Sequence, residues 1–274
     1  MSKKIVLLIV MVMCLFALTG CLDSKNDKPT TASGEKKIIH MGVAGPFLQY
    51  VEIIKRDFEA KGYELKITYF DDSIQPNTAL AEGTIDANFY QHVPFLKSYN
   101  EKNKTDLVML EPHILTSVFG VFSDKYKDIA ELPEKAVITV STDASNKDRS
   151  LRMLRDNGMI TLKDKADNKL YTLLDIKDNP HNYQFVEIDL YQLISSLGTA
   201  DAAIFNSLLL SKSGQYDKHP LIVSADNVNF PLGVVVLGKN KDAKWARDTV
   251  EIFSSANSKA YLEKVFKGAV TPLF

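Results

Sequence analysis

This chain is predicted to be an α/β protein of two lobes with a ligand cleft between them, and three observations carry that expectation. From Ile38 onward, apolar runs of strand length alternate with segments of helical period. The alternation comes in two sets, near residues 38–112 and 136–206. Three polar stretches, 71–77, 143–146 and Asn206, each directly follow a run that reads as a strand. Open α/β sheets take ligands outside the carboxyl ends of their strands, and two lobes set two such edges face to face.

At the amino end, Lys3 and Lys4 precede the apolar run IVLLIVMVMCLFAL, residues 5–18. A membrane span needs about 20 residues, so this shorter run fits the hydrophobic region of an export signal. Leu18-Thr19-Gly20-Cys21 resembles a bacterial lipobox, in which the cysteine is acylated and becomes the first residue after cleavage. Residues 1–20 are therefore expected to be a lipoprotein signal peptide and Cys21 the lipid anchor; the alternative is a buried cysteine in an ordinary signal. The only other cysteine, Cys14, lies within the signal, so a mature chain would have no disulfide, cysteine nucleophile or thiolate metal site. Residues 22–37, LDSKNDKPTTASGEKK, are too polar to offset their ordering entropy and read as a flexible tether. Beyond them, residues 38–274 carry 27 Lys and Arg against 31 Asp and Glu, with no basic stripe, which argues against nucleic acid as a partner.

IIHMGVA reads as a strand, Gly45-Pro46 as a turn, and FLQYVEIIKRDFEAKG as a helix with apolar Leu48, Val51, Ile54 and Phe58 and a stop at Gly62. YELKITYF alternates as a strand does, which completes a βαβ unit and implies a parallel sheet. DLVMLEPHI and GVFSD read as extended, AVITVST as a buried strand, and SNKDRSLRMLRDNG as a helix ending at Gly158. YQFVEID, the helix LYQLISSLG, and the strands ADAAIF and LGVVVLGK follow, and one long helical segment is expected over 242–266. The first lobe is expected at 38–115 with 235–274, the second at 116–234.

Phe89, Tyr90, His92 and Phe95 crowd four rings into seven positions. They cannot share one strand face, and Pro94 limits a regular helix there, so some rings should point away from the core. His92 reads either as a hydrogen-bonded, partly buried histidine or as a ligand contact. Arg149 is placed in the first turn of its helix, where the dipole disfavours a cation; a ligand carboxylate or an ion pair with Asp148 would compensate. His40, His113, His181 and His219 have no paired metal spacing, and no Gly-x-Ser-x-Gly, P-loop or Gly-x-Gly-x-x-Gly motif is present. The polar stretches at strand ends fit helix caps as well as ligand contacts.

The blocks GVAGPFLQYVEIIK, PNTALAEGTIDANFYQHVPFLKSYN, SNKDRSLRMLRDNGMITLKD, DIKDNP, DAAIFN and YLEKVFKGAV occur in that order between about residues 38 and 270 and together resemble the NlpA/MetQ family of bacterial lipoproteins. That resemblance implies a type II-like periplasmic-binding-protein fold that closes on one amino acid, methionine first among them, and delivers it to a membrane permease with its ATPase. It implies no cofactor and no enzymatic role. By position it places Tyr90, His92 and Phe95 in the side-chain pocket, Arg149 on the ligand carboxylate, and Asn206 on the amino-acid backbone groups. It sets Ser73 where the family has a pocket tyrosine and Leu232 where it has a second asparagine, with Asn229 as the alternative for the latter; Leu208 and Leu209 replace a more polar pair. The ligand is then methionine in a rearranged site, a methionine-containing dipeptide or another small carboxylate. The rival readings are a surface antigen with a vestigial pocket and an extracellular enzyme on the same scaffold. Replacing Cys21 with Ser is expected to abolish incorporation of labelled palmitate and to move the protein from the detergent phase to the aqueous phase on Triton X-114 partitioning.

Overall fold

The computed structural model describes residues 36–274 apart from 167, 216 and 217. The signal segment, Cys21 and the tether as far as residue 35 lie outside the described residues. At the start of the folded part, Lys36 is ion-paired to Asp86 at 2.7 Å and the Lys37 carbonyl accepts from the Glu64 amide at 2.7 Å.

The strand β1 (Ile38–Ala44) leads through the turn Gly45–Phe47 into helix α1 (Leu48–Ala60) and back into β2 (Glu64–Phe70), and β1 and β2 pair in parallel from Ile38↔Glu64 to Ala44↔Phe70. Tyr50, Val51, Ile54 and Phe58 bury one face of α1 against this sheet, as the helical spacing of its apolar residues predicts. Gly45 has φ +61°, and a Cβ there would stand 2.5 Å from the Tyr191 ring, so the turn tolerates no side chain.

Next come α2 (Gln75–Ala81), β3 (Ala87–Phe89), α3 (Val93–Asn103) and β4 (Leu107–Met109). The chain then crosses through β5 (Leu115–Ser117) into β6 (Phe119–Phe122), β7 (Val137–Ser141) and α4 (Ala144–Asp156). The short pair β8 (Thr161–Leu162) and β9 (Ile176–Asp178) precedes β10 (Gln184–Ile188), α5 (Leu193–Ser196), β11 (Ala202–Asn206), α6 (Leu210–Ser213) and β12 (Ile222–Val223). After a second crossing come β13 (Val235–Leu237), α7 (Lys244–Phe253), α8 (Ala256–Phe266) and β14 (Val270–Pro272).

Two five-stranded sheets result, ordered β2-β1-β3-β13-β4 and β10-β7-β11-β6-β12. Each has a parallel core, β2-β1-β3 and β10-β7-β11, extended by antiparallel strands. The first sheet is therefore mixed rather than parallel throughout, because β13 enters it from the second crossing. The crossing segments are tied together: Ile114 N donates to Leu232 O and Leu232 N to Leu115 O, both at 2.7 Å, and β5 also pairs with β14. Each half has its own core, one built on Phe47, Tyr50, Phe89, Phe253 and Phe266, the other on Phe119, Ile138, Val140, Leu151 and Ile204. This is a two-lobe periplasmic-binding-protein architecture.

Two sequence expectations need correction. The single helix over 242–266 is two helices, broken at Ser254 and Ser255, where the Ser255 hydroxyl accepts from Ser258 N at 3.1 Å. The break lets Phe253 and Phe266 reach the same core from two helix directions. Pro94 does not prevent a helix around itself; it lies in the first turn of α3, where its missing N–H costs nothing.

A buried amide network locks α2 to the end of β3. Asn77 Nδ2 donates to Gln91 Oε1 (2.8 Å), Asn88 Nδ2 to Asn77 Oδ1 (2.9 Å), and Gln91 Nε2 to Asn77 Oδ1 (2.6 Å) and Asn88 Oδ1 (2.9 Å). All three residues are buried, so each lost contact leaves a desolvated polar atom. Asn88→Ala is expected to lower stability by about 2–3 kcal/mol, measured as a shift in the urea midpoint with unchanged slope.

Candidate functional site

The segment after β3 alternates between core and junction. Phe89 is fully buried in the first core, while Tyr90 turns its hydroxyl to donate to the Ser73 carbonyl at 2.9 Å. Burial raises the Tyr90 phenol well above its usual pKa, so it stays a neutral donor. The amide network fixes the loop that supports both.

His92 is the N-cap of α3, a role that neither sequence reading assigned to it. Its Nδ1 accepts from Phe95 N at 3.1 Å, which leaves the ring hydrogen on Nε2 to donate to Asn146 Oδ1, also at 3.1 Å. Asn146 belongs to α4, so this bond joins the two halves. Its amide is oriented in turn by Asp143 Oδ2, which accepts from Asn146 Nδ2 at 2.9 Å, and Asp143 itself caps α4. Desolvation lowers the His92 pKa to about 4, partly offset by the bond to Asn146, so the ring is neutral at pH 7.

Arg149 is the sixth residue of α4, in its second turn rather than its first. Its side chain is 1% exposed and does not pair with Asp148, which instead holds Arg152 at 2.8 Å. The guanidinium lies between two rings, 4.3 Å from the centroid of Phe119 and 3.6 Å from that of Phe230. Its Nε donates to Asp226 Oδ1 at 3.3 Å and its Nη2 to Asn227 Oδ1 at 2.8 Å. Burial lowers its pKa to about 10, opposed by Asp226, and it remains a cation at neutral pH. The Phe230 ring also meets His92 edge-on, with centroids 5.1 Å apart, so one ring separates the histidine from the arginine.

Tyr90, His92, Asn206 and Leu232 meet around one cavity of about 50 Å³, together with Phe47, Asn146, Tyr191, Leu208 and Leu209. The Asn206 side chain behaves as a cap: its Oδ1 accepts from Leu208 N at 2.9 Å and its Nδ2 donates to Ser117 Oγ. Leu232 bridges to His92 through the backbone. Ser73 and Phe95 fall apart from this group and line a neighbouring groove of about 360 Å³ with Asp143, Ser145 and Asp189. Arg149 borders neither space. Asn229 lies in the turn Asn227–Asn229, and its amide donates to the Asp226 carbonyl at 2.9 Å.

The inner cavity is far smaller than the 300 Å³ or so of a typical small-molecule pocket. Asn146 faces it from the α4 side and His92 from the α3 side, so parting the halves would enlarge it.

Sequence reasoning missed Asp226, Asn227, Phe230 and Tyr191. The first three sit in the polar run SADNVNFP, whose composition marks a turn and nothing more. Tyr191 stands in a segment that reads as ordinary helix. Asn146 was within reach, since the stretch 143–146 follows a strand.

A sequence profile of the NlpA lipoprotein family matches residues 39–274. The chain is 30% identical to the probable D-methionine-binding lipoprotein MetQ of Haemophilus influenzae, over 98% of either chain. It is 32% identical to outer membrane lipoprotein 1 of Mannheimia haemolytica, over 98% of this chain and 99% of that one. Among solved structures, a nutrient binding protein from Burkholderia cenocepacia bound to methionine matches with a TM-score of 0.81 at 30% identity, covering 86% of this chain and 100% of the other.

Because the folded state disfavours the His92 proton, stability is greatest above the unfolded pKa of about 6.5 and falls as the pH drops toward about 4. The loss attributable to His92 should reach about 3 kcal/mol and level off below that point. His92→Gln is expected to remove this part of the slope in urea titrations taken between pH 7 and 4.

Proposed function

Since this chain belongs to the NlpA lipoprotein family, we propose that it is the solute-binding protein of an ABC importer, held by lipid on Cys21 at the extracytoplasmic face of the cell membrane. It takes methionine, a related small amino acid or a methionine-containing dipeptide and passes it to a permease with its ATPase. The observation that carries this reading is the meeting of Tyr90 and His92 with Asn206 and Leu232, both distant from them in sequence, around one cavity where α3 of one half faces α4 of the other.

In this reading the lobes are 38–115 with 235–274 and 116–234, and they rotate about the paired crossings near Leu115 and Leu232. Opening breaks the His92–Asn146 bond and joins the inner cavity to the groove lined by Ser73 and Phe95. The aromatic rings then receive the apolar side chain of the solute, Asn206 its backbone groups, and Arg149 its carboxylate. Binding energy drives closure and no covalent step follows. Ser73 leaves room on the groove side, which suits a ligand longer than one residue, and Leu232 withholds an amide from the ammonium group.

A surface lipoprotein with a diverged pocket is the second reading, favoured by the engagement of Arg149 with Asp226 and Asn227. Thermal unfolding of the full-length chain in detergent, stripped of ligand by denaturation and refolding, separates the two. L-methionine, D-methionine or a methionine dipeptide at about 100 times its dissociation constant should add about 2.7 kcal/mol, and Arg149→Gln should weaken binding by about tenfold or more. No rise with any amino acid, dipeptide or small carboxylate would favour the second reading.

A further inference from the structure

Arg149 is a buried cation held between two aromatic faces, with no short contact to a carboxylate among the described residues. The contact from its Nε to Asp226 is a single bond of 3.3 Å, longer than the 2.7–2.9 Å or so of a good charge-assisted pair, and its Nη2 meets only the neutral amide oxygen of Asn227. The Asp226 oxygen is shared with the Ser224 hydroxyl, and the Asp226 side chain is 37% exposed against 1% for Arg149. The weaker partner is thus also the more exposed one.

The position of the pair matters. Asn227, next to Asp226, accepts from Thr116 Oγ1 through its carbonyl at 2.6 Å and from Phe119 N through its side chain at 3.0 Å. Those contacts lie where the chain crosses between the halves. A shift of Asp226 away from Arg149 is therefore felt at the crossing.

We propose that Asp226 is an internal counter-ion that occupies Arg149 in place of a solute carboxylate, and that binding exchanges one carboxylate for the other at the same buried cation. The inference rests on the solute-binding reading above. A forked carboxylate makes two short bonds where Asp226 makes one long one, so it wins the exchange. A solute with an amide or ester in that place cannot displace Asp226 without leaving the cation unpaired, and is rejected. Asp226 then sets specificity for a free carboxylate without being part of the pocket wall.

The test uses the full-length chain in detergent, with unfolding followed through its single tryptophan, Trp245. Formate is expected to raise the unfolding midpoint of Asp226→Ala above that in chloride of equal ionic strength. It should do so less for the wild type, where it must first displace Asp226, and not at all for the double variant Asp226→Ala, Arg149→Gln. Equal effects of formate and chloride on Asp226→Ala would overturn the proposal. Asp226→Asn, which keeps the shape, serves should the alanine variant not fold. It is expected to bind L-methionine about tenfold more tightly than the wild type and, with no internal carboxylate to displace, to bind L-methioninamide more tightly as well; equal or weaker methionine binding would count against the exchange. If methionine binds neither protein, that ligand assignment fails while the formate measurement still decides on Asp226. If methionine binds the wild type and formate rescues nothing, the exchange fails and the solute-binding reading stands.

Discussion

A guanidinium withdrawn from water sets the terms for the middle of this molecule. Arg149 is almost wholly buried on α4, and such a cation persists only where other groups replace its hydration. Three parts of the chain supply them: Phe119 at the start of β6, Phe230 on the second crossing, and the turn that carries Asp226 and Asn227. The same amide oxygen of Asn227 takes a hydrogen from Arg149 and one from the Phe119 backbone. The need to compensate one charge therefore ties a helix of the second half to the crossing segment.

The first half answers with neutral polar groups. Its amide network of Asn77, Asn88 and Gln91 contains no charge, and His92 is kept neutral by burial, while its Nδ1 accepts from Phe95 N. A protonated His92 would set two donors against each other at Phe95 N. The Phe230 ring stands between this neutral set and the Arg149 cation, touching both. The contact that spans the halves at His92 and Asn146 is a single hydrogen bond between neutral groups.

Much of the fold was legible because local rules decide it. IIHMGVA forms β1 over its whole length, α1 buries Val51, Ile54 and Phe58 as its spacing predicts, and ADAAIF and AVITVST are central strands of the second sheet. The break at Ser254 was not legible, since nothing in the local apolar pattern interrupts a helix there; two packing directions on one core impose it. Of the site, Tyr90, His92, Asn206 and Leu232 do come together, but the split of Ser73 and Phe95 into a separate groove depends on how α3 lies against α4. Asp148, the sequence neighbour that was the alternative to a ligand carboxylate as partner for Arg149, faces another way round the helix and takes Arg152 one turn on.

By itself the sequence determined the strands, the main helices, the two-lobe order and the residue types available at the junction, because hydrophobic period, glycine and proline placement and capping chemistry act over a few positions. Which group neutralises Arg149, which nitrogen of His92 is free to reach across the junction, and which side chains share a cavity were decided only by the tertiary structure. Asp226 lies 77 positions from Arg149 and Asn146 lies 54 from His92. Contacts over such separations are set by how the two sheets and their crossings pack, and no local pattern encodes them.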